Sequence, residues 1–412
     1  MGSEWETVAL GSVVINHDVK RRPVKGPDRR PGSYPYYGAS GIVDYVDGYI
    51  FDGSYLLVAE DGENLRTRQT PVAFMASGRF WVNNHAHILQ GSSKALTRFL
   101  HYSLIEADIA PYLTGAVMPK LTQGNLHRIP ILLPPLTEQR AIAGILGALD
   151  DKIAVNRRMG ATLEAMARAL FKSWFVDFDP IRAKAEGRDP ALPPPLADLF
   201  PDAFDDDGAV PEGWRIGSVG EVAALGRDQV DPGVKPDALF AHFSLPAFDA
   251  SRSPKIETGS AIRSQKFVVP GDAVLLSKLN PEIDRTWLAD TDGIAEAVCS
   301  TEFLVLQARS GFSRAFLYCL LRSPVFRQGI ESLVTGTSKS HQRAQPSSVL
   351  NLPAIIPGPA IVTAFTDTVA PLFDRQRVLM SEANSLAALR DTLLPKLISG
   401  DVRMPVAAIA AV

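Results

Sequence analysis

Pro134-Pro135-Leu136-Thr137-Glu138-Gln139-Arg140, with the run from Ala141 to Phe178 behind it, decides the architecture of this chain. Written as heptads, Ile142, Leu149, Asn156, Leu163 and Leu170 share the a position, and Ile145, Lys152, Met159, Met166 and Ser173 share d. No proline falls between Pro135 and Pro180, and the glycines are Gly144, Gly147 and Gly160. The pattern predicts one long amphipathic helix with a coiled-coil seam. From Ile142 to Trp174 it would be a rod of roughly 50 Å at 1.5 Å per residue. An ordinary globular domain needs no such rod, so something is expected to be held apart by it or docked on it.

Outward from that helix, the chain repeats. The a positions recur 223 residues on as Phe365, Leu372, Leu379, Leu386 and Leu393, with Thr368, Arg375, Glu382, Leu389 and Lys396 at d. Ile129 to Pro134 is echoed by Leu352 to Pro357, and Thr114-Gly115 by Thr335-Gly336. Trp5, Leu10, Gly11 and Val13 return 209 residues on as Trp214, Val219, Gly220 and Val222. Two such helices with repeated flanks argue for duplication. The expected order is a globular segment over 1–134, a helix over 135–179, a Pro- and Asp-rich linker over 180–212, a second globular segment over 213–357, a second helix over 358–400 and a tail over 401–412.

Both globular segments read as mixed α/β. In the first, Tyr34 to Gly41, Ile42 to Val46, Tyr49 to Phe51, Tyr55 to Val58, Val72 to Met75 and Phe80 to Leu89 are β-prone runs between turns, and Leu96 to Ala110 has helical spacing. In the second, Lys266 to Val269, Ala273 to Leu276 and Phe303 to Leu306 read as strands and Ser313 to Leu333 as a helix. The fold class is therefore α+β: two mixed domains with two long helices, predicted to pack antiparallel as a coiled-coil spacer about an internal pseudo-two-fold axis.

Composition excludes classes more than it selects one. A chain of 412 residues predicts at least two domains. No long uncharged apolar run or secretory leader is visible, so a cytoplasmic protein with no membrane segment is expected. Cys299 and Cys319 lack metal or redox spacing and read as small core residues. The net charge of −3 does not announce a nucleic-acid binder, yet it hides a basic run at Lys20, Arg21, Arg22, Lys25, Arg29 and Arg30. The catalytic signatures of nucleotide, zinc and serine-nucleophile chemistry are missing. His85 and His87 read as structural or surface residues in preference to a metal pair, and Trp5 and Trp214 as equivalent core anchors.

The stretches 133–140 (Leu-Pro-Pro-Leu-Thr-Glu-Gln-Arg) and 172–180 (Lys-Ser-Trp-Phe-Val-Asp-Phe-Asp-Pro) resemble the specificity subunit of type I restriction-modification systems. So do Tyr37 to Gly41, Pro211 to Trp214 and Leu393 to Gly400, and the likeness covers essentially the whole chain. The resemblance implies two target-recognition domains, each reading one half of an asymmetric bipartite DNA site, and two helices that set the spacing and dock two methyltransferase subunits. Two motor-nuclease subunits would complete a restriction enzyme. It implies no catalysis and no cofactor in this chain: S-adenosylmethionine would belong to the methyltransferase, ATP and magnesium to the motor-nuclease. One departure stands out. Pro357-Gly358-Pro359-Ala360-Ile361 replaces the Thr-Glu-Gln-Arg entry of the first helix, so the two docking surfaces need not be equal. The alternative reading is a non-catalytic coiled-coil scaffold for protein partners without base readout.

Candidate DNA contacts follow from donor chemistry. In the first domain they are the basic run from Lys20 to Arg30 and the polar segment Lys120, Thr122, Gln123 and Asn125. In the second they are Thr335, Thr337, Ser338, Lys339, Ser340, His341, Gln342 and Arg343, with Lys278 and Asn280. Each set has a plainer alternative as a solvated polar loop.

Overall fold

The computed structural model describes residues 5–291, 296–333 and 342–403. Two helices dominate it, Leu136–Phe175 and Pro359–Ser399, of 40 and 41 residues. The first begins immediately after Pro135, six residues before the expected seam, so Thr137 to Arg140 form its opening turns. The second runs through Pro371 and Pro395. Each proline deletes the N–H that would bond the carbonyl four residues back, but both sit on the exposed side, where water can reach the freed carbonyl.

The chain divides into two compact units, Met1–Asn156 with Glu382–Val412, and Arg157–Ser381. Each unit thus owns one globular segment, the start of the helix that follows it and the end of the other long helix. Inside the first unit the helices run antiparallel: Arg390 pairs with Asp150 at 2.7 Å and Glu382 with Lys152 at 3.4 Å. Inside the second they do so again, with Gly160 facing Gln376 and Met380, and the Phe171 ring 5.7 Å from that of Phe365.

The a positions lie in the seam as expected: Ile142, Asn156, Phe365 and Leu379 are buried, and Leu149, Leu163, Leu170, Leu372, Leu386 and Leu393 are half-buried. The other seam column is one residue later than the sequence reading placed it. It consists of Leu146, Ile153, Gly160, Ala167 and Trp174 in the first helix and Val369, Gln376, Ala383, Arg390 and Leu397 in the second; all are buried or half-buried. Met159 and Met166, read as core, are about half exposed. The hydrophobic pattern failed here because glycine and alanine carry little apolar signal, and because the two polar members are neutralised by the opposite helix. Gln376 donates to Glu164 at 3.0 Å, and Arg390 to Asp150.

Asn156 is fully buried, and neither its amide oxygen nor its nitrogen has a hydrogen-bond partner among the described residues. An unsatisfied buried amide costs about 1–3 kcal/mol. Asn156→Leu, which installs the residue type that position 379 already carries, is therefore expected to stabilise the protein by about that amount. A lowered urea midpoint would show instead that the site has no room for the branched side chain.

The repeat is carried by the frame of each unit. Strand Glu6–Ala9 pairs antiparallel with Pro130–Leu133, and Arg215–Ser218 with Pro353–Ile356, in the same register: Glu6 faces Leu133 and Arg215 faces Ile356. The next backbone bond is repeated too, from Leu10 N–H to the Ile129 carbonyl and from Val219 N–H to the Leu352 carbonyl, both 2.9 Å. The short helices Gln123–His127 and Pro346–Leu350 also lie 223 residues apart. Trp5 lies against Gly400 and under the Arg403 guanidinium, while Trp214 packs on Phe175 and Phe178, so each tryptophan anchors its domain to the end of a long helix.

Within these matching frames the sheets differ. The first unit holds one six-stranded sheet in the order 14–16, 86–91, 51–59, 73–82, 31–38 and 41–46. The stretch from Phe80 to Leu89, read as one strand, breaks at 83–85, and its two parts flank strand Phe51–Ala59 on opposite sides. The second unit holds a four-stranded and a five-stranded sheet. Its expected helix from Ser313 to Leu333 is two, Arg314–Leu321 and Pro324–Ser332, because Pro324 cannot donate and the Ser323 hydroxyl caps a fresh helix by accepting from Phe326 N–H. The stretch 180–212 is tied down: Ile181 and Phe200 are buried, and Lys184 donates to the carbonyls of Ala197 and Phe200. Cys299 and Cys319 are buried free thiols.

Candidate nucleic-acid interface

In the first unit the basic run is a fixed loop. Asp18, buried at its start, accepts from Ile88 N–H at 2.8 Å and from His87 Nδ1 at 2.6 Å. Burial works to raise the Asp18 pKa, but the His87 hydrogen bond and charge, with Arg21 beside it, bring it below the usual carboxylate value. The Trp81 indole donates to the Arg22 carbonyl and the Tyr36 hydroxyl accepts from Val24 N–H. Arg21 and Arg29 turn inward. Arg21 bonds Glu60 and the carbonyls of Asn84 and Ala86; Arg29 pairs with Asp44 and lies 4.5 Å over the Tyr36 ring. Two of the six expected contacts thus hold the loop, since a turn this polar needs internal donors for its carbonyls. Lys20, Arg22, Lys25 and Arg30 point outward, their side chains bonded to none of the described residues.

The segment after Thr114-Gly115 folds back on itself: Thr114 and Lys120 exchange both backbone hydrogen bonds, and Arg66 clamps the carbonyls of Gly115 and Ala116. Its tip exposes Val117 and Met118, 94% and 64% accessible. Of the expected contacts here, Thr122 is the cap of helix Gln123–His127 and Asn125 is tied to the Tyr112 carbonyl, whereas Gln123 is exposed. Lys120 reaches Glu60 at 3.2 Å, so Glu60 holds the basic loop through Arg21 and this segment through Lys120. The two candidate sets of this domain meet at that carboxylate.

His85 and His87 go to different carboxylates. His85 pairs with Asp61 at 2.8 Å; His87 is buried between Asp18 and the Leu121 carbonyl. Among the described residues no group of three or more His, Cys, Asp or Glu side chains could hold a metal ion.

In the second unit, Thr335, Thr337, Ser338, Lys339, Ser340 and His341 lie outside the described residues. The neighbouring candidates, sixty or so residues apart in sequence, come together: Asn280 N–H bonds the Gln342 carbonyl and Ala344 N–H bonds the Lys278 carbonyl, both 2.9 Å. Asn280 adopts the left-handed conformation with φ 48°, and Arg343 makes a two-pronged bond to Glu302 at 2.8 and 3.0 Å. Lys278 is half-buried.

The carboxylates that hold these loops, and one amide, carry no signal in the local sequence. Gln139 is completely buried; its side chain accepts from Leu96 N–H and donates to the carbonyls of Lys94 and Pro134. It fastens the first long helix to its domain. The residue 223 positions on is Val362, also buried, so the second helix enters on apolar packing instead. A glutamine inside an otherwise exposed-looking Thr-Glu-Gln-Arg turn gave no periodic signal.

Comparison with known proteins supplies the context. Residues 2–165 match the type I restriction modification DNA specificity domain. A Haemophilus influenzae protein assigned as a type I restriction enzyme specificity subunit is 42% identical over 148 residues, a match spanning 36% of this chain and 38% of that one. The MjaIX type I restriction enzyme specificity subunit of Methanocaldococcus jannaschii is 24% identical over 403 residues, covering 90% of this chain and 88% of its own. The crystal structure of a type I S subunit from M. genitalium shares the fold at 14% identity, with a TM-score of 0.57 over 98% of this chain and 97% of that one. No described helix is long and apolar enough to cross a membrane.

Proposed function

We propose that this chain, which belongs to the family of type I restriction-modification specificity subunits, is the non-catalytic component that chooses where a methyltransferase complex acts on double-stranded DNA. Each globular unit reads one half of a split site. The observation that carries this reading is the contrast between frame and filling: the terminal strand pairs repeat residue for residue, while one frame holds a six-stranded sheet and the other a four- and a five-stranded sheet. Frames of matching register suit two copies of the same partner; different fillings suit two different half-sites, hence an asymmetric sequence.

The outward cations Lys20, Arg22, Lys25 and Arg30, with Lys120 and Arg343, supply phosphate contacts, and Gln123, Lys278, Asn280 and Gln342 supply groups suited to base edges or to the backbone. The segment 335–341 belongs to the same reading by its donor-rich sequence. Each long helix begins in one unit and ends in the other, so helix length sets the spacing between half-sites. Two methyltransferase subunits dock on the helices, bringing S-adenosylmethionine; where the system restricts, motor-nuclease subunits bring ATP and magnesium. The complex works in the cytoplasm, on the host chromosome and on entering DNA.

Co-expression with the neighbouring methyltransferase subunit, followed by single-molecule sequencing of host DNA, is expected to reveal one split methylated motif with two unlike halves and a fixed spacer. An assembled complex that methylates without sequence preference would overturn this and favour a scaffold that only organises partners.

A further inference from the structure

The most informative repeat in the molecule is a backbone clamp that recurs in both units. In the first unit, Gly62 N–H bonds the Pro119 carbonyl and Leu121 N–H bonds the Glu60 carbonyl; in the second, Asn280 N–H bonds the Gln342 carbonyl and Ala344 N–H bonds the Lys278 carbonyl. Residues 119–121 and 342–344 are 223 apart, so the clamp recurs at the same place in the repeat. The neighbouring strand closes the clamp in both: Glu60 N–H bonds the His85 carbonyl and Lys278 N–H bonds the Glu302 carbonyl, each at 2.9 Å.

The central residue of the clamp is basic in both copies, Lys120 and Arg343, but the acid that supports it stands at a different position in each. In the first unit the clamped strand end carries the acid, Glu60, and the neighbouring strand carries His85. In the second the clamped strand end carries a base, Lys278, and the neighbouring strand carries the acid, Glu302. The central cation nevertheless meets a carboxylate each time, Lys120 with Glu60 at 3.2 Å and Arg343 with Glu302 at 2.8 Å. Two different residues on two different strands converge on one arrangement. The same pairing is thus built twice, from different positions on the same backbone clamp.

We infer that Glu60 and Glu302 are positioning residues for DNA recognition, each fixing the central cation of its clamp so that the domain's reading surface presents one geometry to its half-site. This rests on the half-site reading proposed above. Glu60 does more than Glu302, because its second oxygen holds Arg21 at 2.5 Å and so aligns the basic loop with the segment after Thr114-Gly115. The Arg343 hydrogen bonds keep Glu302 below its ordinary pKa against burial, which favours the charged clamp at neutral pH.

The complex of this chain with its methyltransferase tests the inference, with methylated motifs read by sequencing. Glu60→Gln is expected to lower the methylation rate by about tenfold, the equivalent of 1.4 kcal/mol, and to relax base preference in one half-site only. Glu302→Gln should do the same to the other half, and Glu302→Asp should retain the wild-type motif. If Glu60→Gln fails to fold, Lys120→Met, which leaves Asp18, His87 and Arg21 in place, should relax the same half-site that Glu60 governs. Unchanged motif and rate in the folded Gln variants would overturn the positioning role while the half-site reading stands. Relaxation of the same half-site by both variants would overturn it as well. A wild-type complex that marks no split motif would remove the half-site reading and this inference together.

Discussion

Glu164→Ala is expected to destabilise the second unit by about 3–5 kcal/mol, the usual consequence of stranding a buried charge. Glu164 lies on the first long helix and is 6% accessible. Its carboxylate meets the Arg322 guanidinium, accepts from the Tyr318 hydroxyl at 2.9 Å and from Gln376 at 3.0 Å, and has Arg252 at 3.5 Å. Arg322 is 8% accessible, and burial, with Arg327 near it, pushes its pKa down to about 10. At neutral pH it is still charged, so truncating Glu164 leaves it with Asp284 at 2.8 Å and one fewer counter-charge. Glu164→Gln should cost less, since an amide still accepts from Tyr318 and Arg322. Urea unfolding with proteolysis of residues 157–381 as the readout would measure both; a loss below about 0.5 kcal/mol, the range of ordinary surface changes, would show that the cluster is dispensable.

Trp174→Ala is expected to cost a similar amount, about 3–5 kcal/mol, by a different route. Trp174 is 2% accessible at the end of the same helix, edge-on to Phe200 at 5.2 Å and to Phe365 at 5.8 Å. The substitution empties a space that helix and strand backbones hold open, so neighbouring side chains cannot collapse into it. Phe200 also loses the ring against which the stretch 180–212 is seated. Protease cleavage within 180–212 should therefore appear in this variant at temperatures where the wild type resists. Wild-type resistance there would mean that Lys184 and Ile181 alone hold the segment.

Neither residue is marked by the heptad pattern: Glu164 lies beside the seam, and Trp174 belongs to the column one residue later than the pattern places it. Ile142, Leu149, Phe365 and Leu379 announce the helices, because large apolar residues at every seventh position mark a helix seam and little else. The repeat of the flanking segments is legible through their Trp, Gly and Pro spacing, but their pairing as strands is not, because each run is only four residues long. Glu164, Gln376, Arg390 and Asp150 are not legible either, because a polar residue in or beside the seam reads as solvent-facing until its partner on the other helix is known. The same holds for the candidate interface. Its cations stand out as a charged run, but which of them point outward and which hold the loop depends on Asp18, Asp44 and Glu60, and those are brought near by strand register. Local composition marks the donors; tertiary pairing assigns their work.

The strand pair that closes each frame has a consequence for how the molecule tolerates change. Glu6–Ala9 and Pro130–Leu133 bring the entrance and the exit of a domain of more than a hundred residues side by side, at the roughly 5 Å spacing of adjacent strands; Arg215–Ser218 and Pro353–Ile356 do the same for the other. A domain that leaves and rejoins its support through one such gate is an interchangeable cartridge. Segments between the gate strands that do not touch the long helices, as Lys94 and Leu96 touch Gln139, can be lengthened, shortened or replaced while the helices receive the same chain at the same place, so novelty there need not disturb the rest.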